Sequence, residues 1–299
     1  MKFGYLTMGF ALQYQGICAV RAEQRGFESV WLPDHLAMPS PIPKSYPYLN
    51  DEHGNPRLSA DAPLFDPWLV MAYLAALTTR LRFGTAVYLL ALRDPIAVAR
   101  ALVTLDHLSG GRVTLGVGVG WLKEEFEALG VPFDKRGQLT DEAIELLRRL
   151  WSEPVISHQS EFFSIGPVGF APKPLQQAGI PVEVGGASPA ALRRAGLIGD
   201  GWIDAGSANL DDIAAQIRII QQHRQRAGRE HLPFEITLVN NGIFNSPDMI
   251  ERARDVGATR IVVSPLGSPF APRGIAAEQD YLDFLDGYAD VVIDRVKPA

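Results

Sequence analysis

The 299-residue sequence predicts a parallel (β/α)8 TIM barrel, on three observations. Short apolar runs alternate with longer helical patterns from one end of the chain to the other. Those runs show little apolar–polar alternation, as expected of strands covered on both faces by helices. Four helix starts share one device, an acid or serine directly before proline, which caps the first turn and needs no donor at its first position.

The elements follow in order. A strand over 2–6 leads to a helix over 14–25, and a second strand spans 29–32. Asp66-Pro67 opens a helix over 67–78, followed by a strand over 81–88. Asp94-Pro95 opens the helix over 95–108, which Gly110-Gly111 stops before a strand over 112–117. A helix over 140–151 precedes a strand over 181–184, and Ser188-Pro189 opens the helix over 189–198. A strand over 201–203 and a helix over 210–226 come next, with Gly228 as the stop. The last units are a strand over 234–239, a helix over 247–256 between Ser246-Pro247 and Gly257, a strand over 259–264 and a helix over 278–288. Eight such units fit a closed barrel better than an open doubly wound sheet. Two insertions interrupt them: a proline-rich loop over 36–64 after the second strand, and an excursion over 153–173 that reads as a small hairpin. The expectation is one domain over 1–299.

Composition narrows the function. With 28 Lys and Arg against 34 Asp and Glu, the net charge is −6 and the signs are mixed, which argues against nucleic acid or an anionic membrane as partner. Cys18 is the single cysteine, which excludes an intrachain disulfide, fits a reducing compartment, and reads as a small apolar helix residue. No run of eighteen apolar residues occurs, and the opening MKFGYLTMGF lacks the features of a signal peptide, so a soluble, cytoplasmic protein is expected.

In a barrel of this kind the chemistry sits where strands end, so those positions come first. The second strand ends in Asp34-His35. An acid beside the side chain best suited to proton transfer near neutral pH can polarise a heteroaromatic cofactor, or the acid can cap the loop while the histidine is solvated. At the end of the third strand, the small residues of Gly84-Thr85-Ala86 admit a flat ligand or mark a tight barrel layer. Gly116, Gly118 and Gly120 alternate along the fourth, pointing one way and leaving a groove, for which ligand contact is the favoured reading. Gly185-Gly186-Ala187 opens the helix after the fifth strand, where free amides and the helix dipole form an anion site suited to phosphate.

Other chemistries find little support. The six histidines are scattered, so no metal site is expected, and neither a Gly-x-Ser-x-Gly elbow nor a Walker-type loop occurs. Glu124, Glu125 and Glu127 are expected to face solvent at the start of a helix, and Asp106-His107 to be structural.

Taken together, several segments resemble the luciferase-like monooxygenase family, and within it the coenzyme F420-dependent oxidoreductases. They are Trp31-Leu32-Pro33-Asp34-His35, the run from Leu105 through Arg112, Leu115 through Trp121 with Glu124-Glu125-Phe126, Leu129 through Gly137, and Val184 through Ser188 with Gly199 through Trp202. The resemblance implies a barrel holding F420, or alternatively FMN, in a cleft at its C-terminal end. Asp34 and His35 would contact the ring region, with His35 as the catalytic residue. Ala86-Val87 would be a non-proline cis peptide behind the ring, Gly118 and Gly120 would line the cofactor, and Gly185, Gly186 and Ala187 would hold its phosphate. F420 implies hydride transfer to or from a small organic substrate; reduced FMN implies a monooxygenase fed by a separate reductase, and a third reading is a non-catalytic flavin binder. Relatives that oxidise sugar phosphates carry an acid where this chain has Trp121 and a loop tryptophan near Pro39, so that substrate is not carried over. The apolar loop over 38–48 suggests an organic substrate of modest charge. Family members are often dimers, and the apolar face of 95–108 would serve a homodimer or the core equally.

Overall fold

The computed structural model describes residues 1–8, 10–43, 59–207, 209–239, 242–265, 268–271 and 277–296. Strand β1 (Lys2–Leu6) leads through α1 (Gln15–Gln24) to β2 (Ser29–Leu32), and α2 (Pro67–Leu77) to β3 (Arg82–Thr85) and β4 (Tyr88–Leu89). Then come α3 (Pro95–Ser109), β5 (Val113–Gly118), α4 (Lys123–Ala128) and α5 (Arg136–Ser152). A hairpin of β6 (Val155–Gln159) and β7 (Ser164–Gly169) precedes β8 (Val182–Gly185), α6 (Pro189–Ile198), β9 (Gly201–Ile203) and α7 (Leu210–Arg226). The chain continues through β10 (Glu235–Val239), α8 (Pro247–Asp255), β11 (Arg260–Val263) and α9 (Glu278–Tyr288), then a π-helical turn and a last short helix, α10 (Asp294–Val296).

The strands run parallel in the order β3-β2-β1-β11-β10-β9-β8-β5, and β3 pairs back onto β5 through Phe83 with Val113, closing an eight-stranded (β/α)8 TIM barrel. The expected strand over 81–88 is split, because the chain leaves the ladder at Ala86 and Val87 before β4 rejoins β5. The helix expected over 140–151 starts four residues earlier, at Arg136. The excursion is the expected antiparallel hairpin. Of the loop over 36–64, residues 44–58 lie outside the described residues, as does the 44–48 part of its apolar stretch.

Capping explains why the helices begin where they do. Asp66 accepts from the Trp68 and Leu69 amides, Asp94 from Ala97, Ser188 from Ala191 and Ser246 from Met249, each contributing about 1 kcal/mol. Gly110 stops α3 in the left-handed region at φ 69°. The apolar face of α3 is turned inward, burying Val98, Ala99, Leu102, Val103 and Leu105 against the sheet. Asp106 at its end accepts from Leu175 and Gln176, pinning the segment that feeds β8, in keeping with its structural reading.

Inside the barrel two layers fill the axis. Leu6, Trp31, Ile203 and Val262 form an apolar cluster towards the strands' C-terminal ends. Nearer the N-terminal ends, Arg260 donates to Glu183 at 2.7 Å, to Thr237 Oγ1 at 2.8 Å and to Glu28 at 3.2 Å, with its guanidinium 5.1 Å from the Trp31 ring. Buried charges survive in such a place only when paired and hydrogen-bonded, and this arginine is both.

Candidate active site

His35 leaves the end of β2 half-buried and is held by an unexpected partner. Its Nδ1 lies 2.8 Å from Oε2 of Glu125 on α4. The other oxygen of Glu125, Oε1, accepts from the Leu36 amide at 2.6 Å and from Ala37 at 3.2 Å, so one carboxylate fixes both the histidine and the root of the long loop. Far from facing solvent, Glu125 is 1% exposed, whereas Glu124 and Glu127 are exposed as expected. Burial pushes its carboxyl up, but the hydrogen bond and charge of His35 and the two amides outweigh it, leaving the group below the ordinary range. The misreading has a physical cause. Leu122, Glu125 and Phe126 follow the i, i+3, i+4 spacing of one helix face, and that face is the buried one. The His35 ring also meets Trp121 edge-on, with centroids 6.2 Å apart.

Asp34 points elsewhere. Its Oδ2 accepts from the Leu89 amide at 2.9 Å and its Oδ1 from Arg93 at 2.7 Å, so both oxygens are committed to the turn after β4. Burial raises its carboxyl above the ordinary value, with Arg93 and the amide opposing.

The Ala86–Val87 peptide is cis, as the resemblance implies. These two residues are partly open while every neighbour from Phe83 to Leu92 is buried, so the bulge forms a small shelf at the strand ends. Its side chain accounts for two of the glycines. A Cβ on Gly118 would stand 2.4 Å from Val87 Cγ2, and one on Gly185 would stand 2.6 Å from Val87 Cγ1. Val87 is therefore wedged between β5 and β8. Gly116 makes room for the Thr85 carbonyl and Gly120 for the Phe126 ring. The groove read from the glycine run is filled by the protein's own atoms.

Beyond Gly185 the chain turns through Gly186, at φ 112°, into α6. The Gly186 amide is already used by Ile203 O, and its carbonyl accepts from Trp202 Nε1. Ala187, Ser188, Pro189 and Ala190 are exposed, and the amides of Ala187, Ser188 and Ala190 have no protein acceptor among the described residues. The sequence reading missed a further acid, Asp204, which follows β9. It is buried, with Oδ2 accepting from Gly206 and Ser207 at 2.9 Å each, while Oδ1 has no partner among the described residues. Burial pushes this carboxyl up to about 6, against the pull of those amides. Its one local sign is its place directly after the strand over 201–203; its burial comes from the fold. Among the described residues no cluster of three or more His, Cys, Asp or Glu could hold a metal ion, and no helix is long and apolar enough to cross a membrane.

The family model described as luciferase-like monooxygenase matches residues 1–259. The chain belongs to that family. An uncharacterized protein of Mycobacterium tuberculosis is 36% identical over 263 residues, 88% of each chain. The F420-dependent glucose-6-phosphate dehydrogenase of Kineococcus radiotolerans is 32% identical over 217 residues, covering 71% of this chain and 58% of the relative. The 4-hydroxyprotoasukamycin monooxygenase of Streptomyces nodosus subsp. asukaensis is 31% identical over 218 residues, 70% of this chain and 52% of the relative. This chain thus aligns with little more than half of those two enzymes. Among solved structures, the coenzyme F420-dependent tetrahydromethanopterin reductase of Methanopyrus kandleri superposes with a TM-score of 0.73 at 17% identity, covering 99% of both chains. The monooxygenase RslO1 of Streptomyces bottropensis gives 0.76 at 20% identity over 99% and 100%. At such identities the likeness is one of fold.

The exposed amides at the start of α6 fit an anionic group such as a phosphate. Val87 lies against Gly118 and Gly185, so the Ala86–Val87 bulge sits beside the strand end that turns through Gly186 into α6.

Proposed function

We propose that this protein is an F420-dependent oxidoreductase of the luciferase-like family, acting on a small organic substrate of modest charge. The observation that carries the reading is the amide-lined start of α6 standing at the end of the Ala86–Val87 shelf. When bound, the deazaflavin would supply the hydride chemistry, as cofactors of this type do. The chain's part is to hold and orient it. Ala187, Ser188 and Ala190 would donate to its phosphate next to Gly185 and Gly186, while Ala86 and Val87, seated on Gly118 and Gly185, would support the ring. His35 presents Nε2, the ring nitrogen that Glu125 leaves available, as the group that accepts or returns a proton beside the ring. Asp34 acts from behind, by holding the turn after β4.

A second reading keeps the site and changes the cofactor to reduced FMN, making the protein a monooxygenase served by a separate reductase. The Streptomyces nodosus relative, named as a monooxygenase, favours it. Titration of the apo-protein with F420 and with FMN, followed by fluorescence or calorimetry, separates the two. Preference for F420 supports hydride transfer, preference for FMN with oxygen uptake supports the second reading, and binding of neither refutes both. We further propose a reducing, cytoplasmic setting, which the single cysteine, Cys18, fits because it leaves no intrachain disulfide to form. A homodimer would use α2, which exposes Leu69, Tyr73 and Leu77, in place of the inward-facing α3.

A further inference from the structure

We propose that Glu125 is a positioning residue that decides which ring nitrogen of His35 carries the proton, and so which face of its chemistry His35 turns to the cleft. The inference rests on the proposed role of His35 for its functional consequence, but not for its geometry.

Glu125 divides its two oxygens cleanly. Oε1 serves the Leu36 and Ala37 amides, and Oε2 serves His35 Nδ1. An ionised carboxylate only accepts hydrogen bonds, so the atom facing it must donate. Burial opposes ionisation of this carboxyl, but the Leu36 and Ala37 amides together with the contact and charge of His35 outweigh it and hold the group below the ordinary range, so it stays ionised. In the neutral imidazole Nδ1 therefore carries the hydrogen, and Nε2 holds the lone pair. Trp121, edge-on against the ring, limits its rotation. His35 thus enters the cleft as a proton acceptor in its neutral form.

A glutamine at this position cannot do both jobs in the same way. It has one acceptor oxygen and one donor amide group. Turned with its amide towards Leu36 and Ala37, it would set donor against two donors at 2.6 and 3.2 Å. Turned the other way, it keeps both loop amides satisfied and offers its amide group to Nδ1, which must then accept. That second arrangement requires only that the ring proton move to Nε2. Glu125→Gln therefore keeps the loop root and inverts the histidine.

The test is nitrogen NMR of the full-length protein labelled with 15N-histidine, at a pH where the imidazole is neutral, with His35 assigned by its loss in His35→Asn. In the wild type the protonated nitrogen is expected to be Nδ1; in Glu125→Gln it is Nε2; in Glu125→Asp, a shorter carboxylate, it returns to Nδ1. Protonation of Nε2 in the wild type overturns the proposal without any variant being needed, and so does the same tautomer in wild type and Glu125→Gln. Turnover is read in parallel. A loss on the order of 10²-fold or more in Glu125→Gln, with cofactor affinity within about twofold of wild type, supports the proton-transfer role of His35. An inverted tautomer with unchanged turnover would leave Glu125 as the residue that sets the proton and would refute only the catalytic role given to His35.

Discussion

Gly118→Ala places a methyl carbon 2.4 Å from Val87 Cγ2, against the roughly 3.5–4.0 Å at which carbon atoms rest. Val87 cannot swing aside, because its other methyl already fills the notch at Gly185. Overpacking of this kind costs typically about 1–3 kcal/mol, and with both methyl groups pinned about 2 kcal/mol is expected. Val87→Ala removes two methyl groups from a half-buried side chain, worth about 1 kcal/mol. If the two sites were independent the double variant would lose about 3 kcal/mol. If Val87 is what fills the space, the new methyl at 118 enters the room vacated at 87 and the double variant loses about 1 kcal/mol, a coupling of about 2 kcal/mol. Urea unfolding followed by the fluorescence of the five tryptophans measures this, with shifts in midpoint at constant slope. Losses that add within about 0.5 kcal/mol would refute the wedge, and with it the claim that the glycine run accommodates the chain's own side chain.

Removing Arg260 as Arg260→Met strands Glu183, which is buried and keeps only Thr237 Oγ1 as donor among the described residues, so a loss of about 3–5 kcal/mol is expected in thermal or urea unfolding, most of it recovered by adding Glu183→Met. A loss under about 1 kcal/mol in the single variant would be inconsistent with that pairing. Asp204 gives a pH signature. Its folded carboxyl sits at about 6, above the unfolded value of about 3.9, so the folded chain binds this proton more tightly. The stability it contributes is complete below about pH 4 and is lost as pH rises through about 6. Asp204→Asn lacks that titration, so its stability relative to wild type should improve by about 2–3 kcal/mol between pH 4 and 7; a flat difference would count against it. Ala187→Glu sets a carboxylate at the exposed start of α6, where it repels an anion, and should weaken cofactor binding at least about tenfold with little change in melting temperature. Unaltered affinity would move the phosphate elsewhere.

Much of the barrel was legible because its signals are local. Apolar runs and the Asp-Pro and Ser-Pro starts each report on neighbours a few residues away, and all four caps form. The break at Ala86 and Val87 interrupts an unbroken apolar run and follows from the resemblance alone. Where the site was misjudged, the deciding contact lies far along the chain. Glu125 reaches back ninety residues to His35, and Asp34 is taken by Arg93 fifty-nine residues on. A carboxylate on the apolar face formed by Leu122 and Phe126 was the one local sign that Glu125 turns inward. Alternating glycines announce that something comes close, but not whether it is a ligand or, as with Val87 and Thr85, another strand.

The ion cluster on the barrel axis has a consequence for how the cylinder assembles. Arg260 on β11 must meet Glu183 on β8 and Thr237 on β10, while Glu28, just ahead of β2, approaches from the other flank. Closing eight strands demands one particular stagger between first and last, and apolar side chains of similar size tolerate neighbouring staggers almost equally. The arginine does not. Sliding β8 by two residues would carry Glu183 about 6.6 Å along its strand and leave a carboxylate in the dark with nothing opposite. The cluster works as a combination lock, open at one alignment of the segments that carry Glu28, Glu183, Thr237 and Arg260.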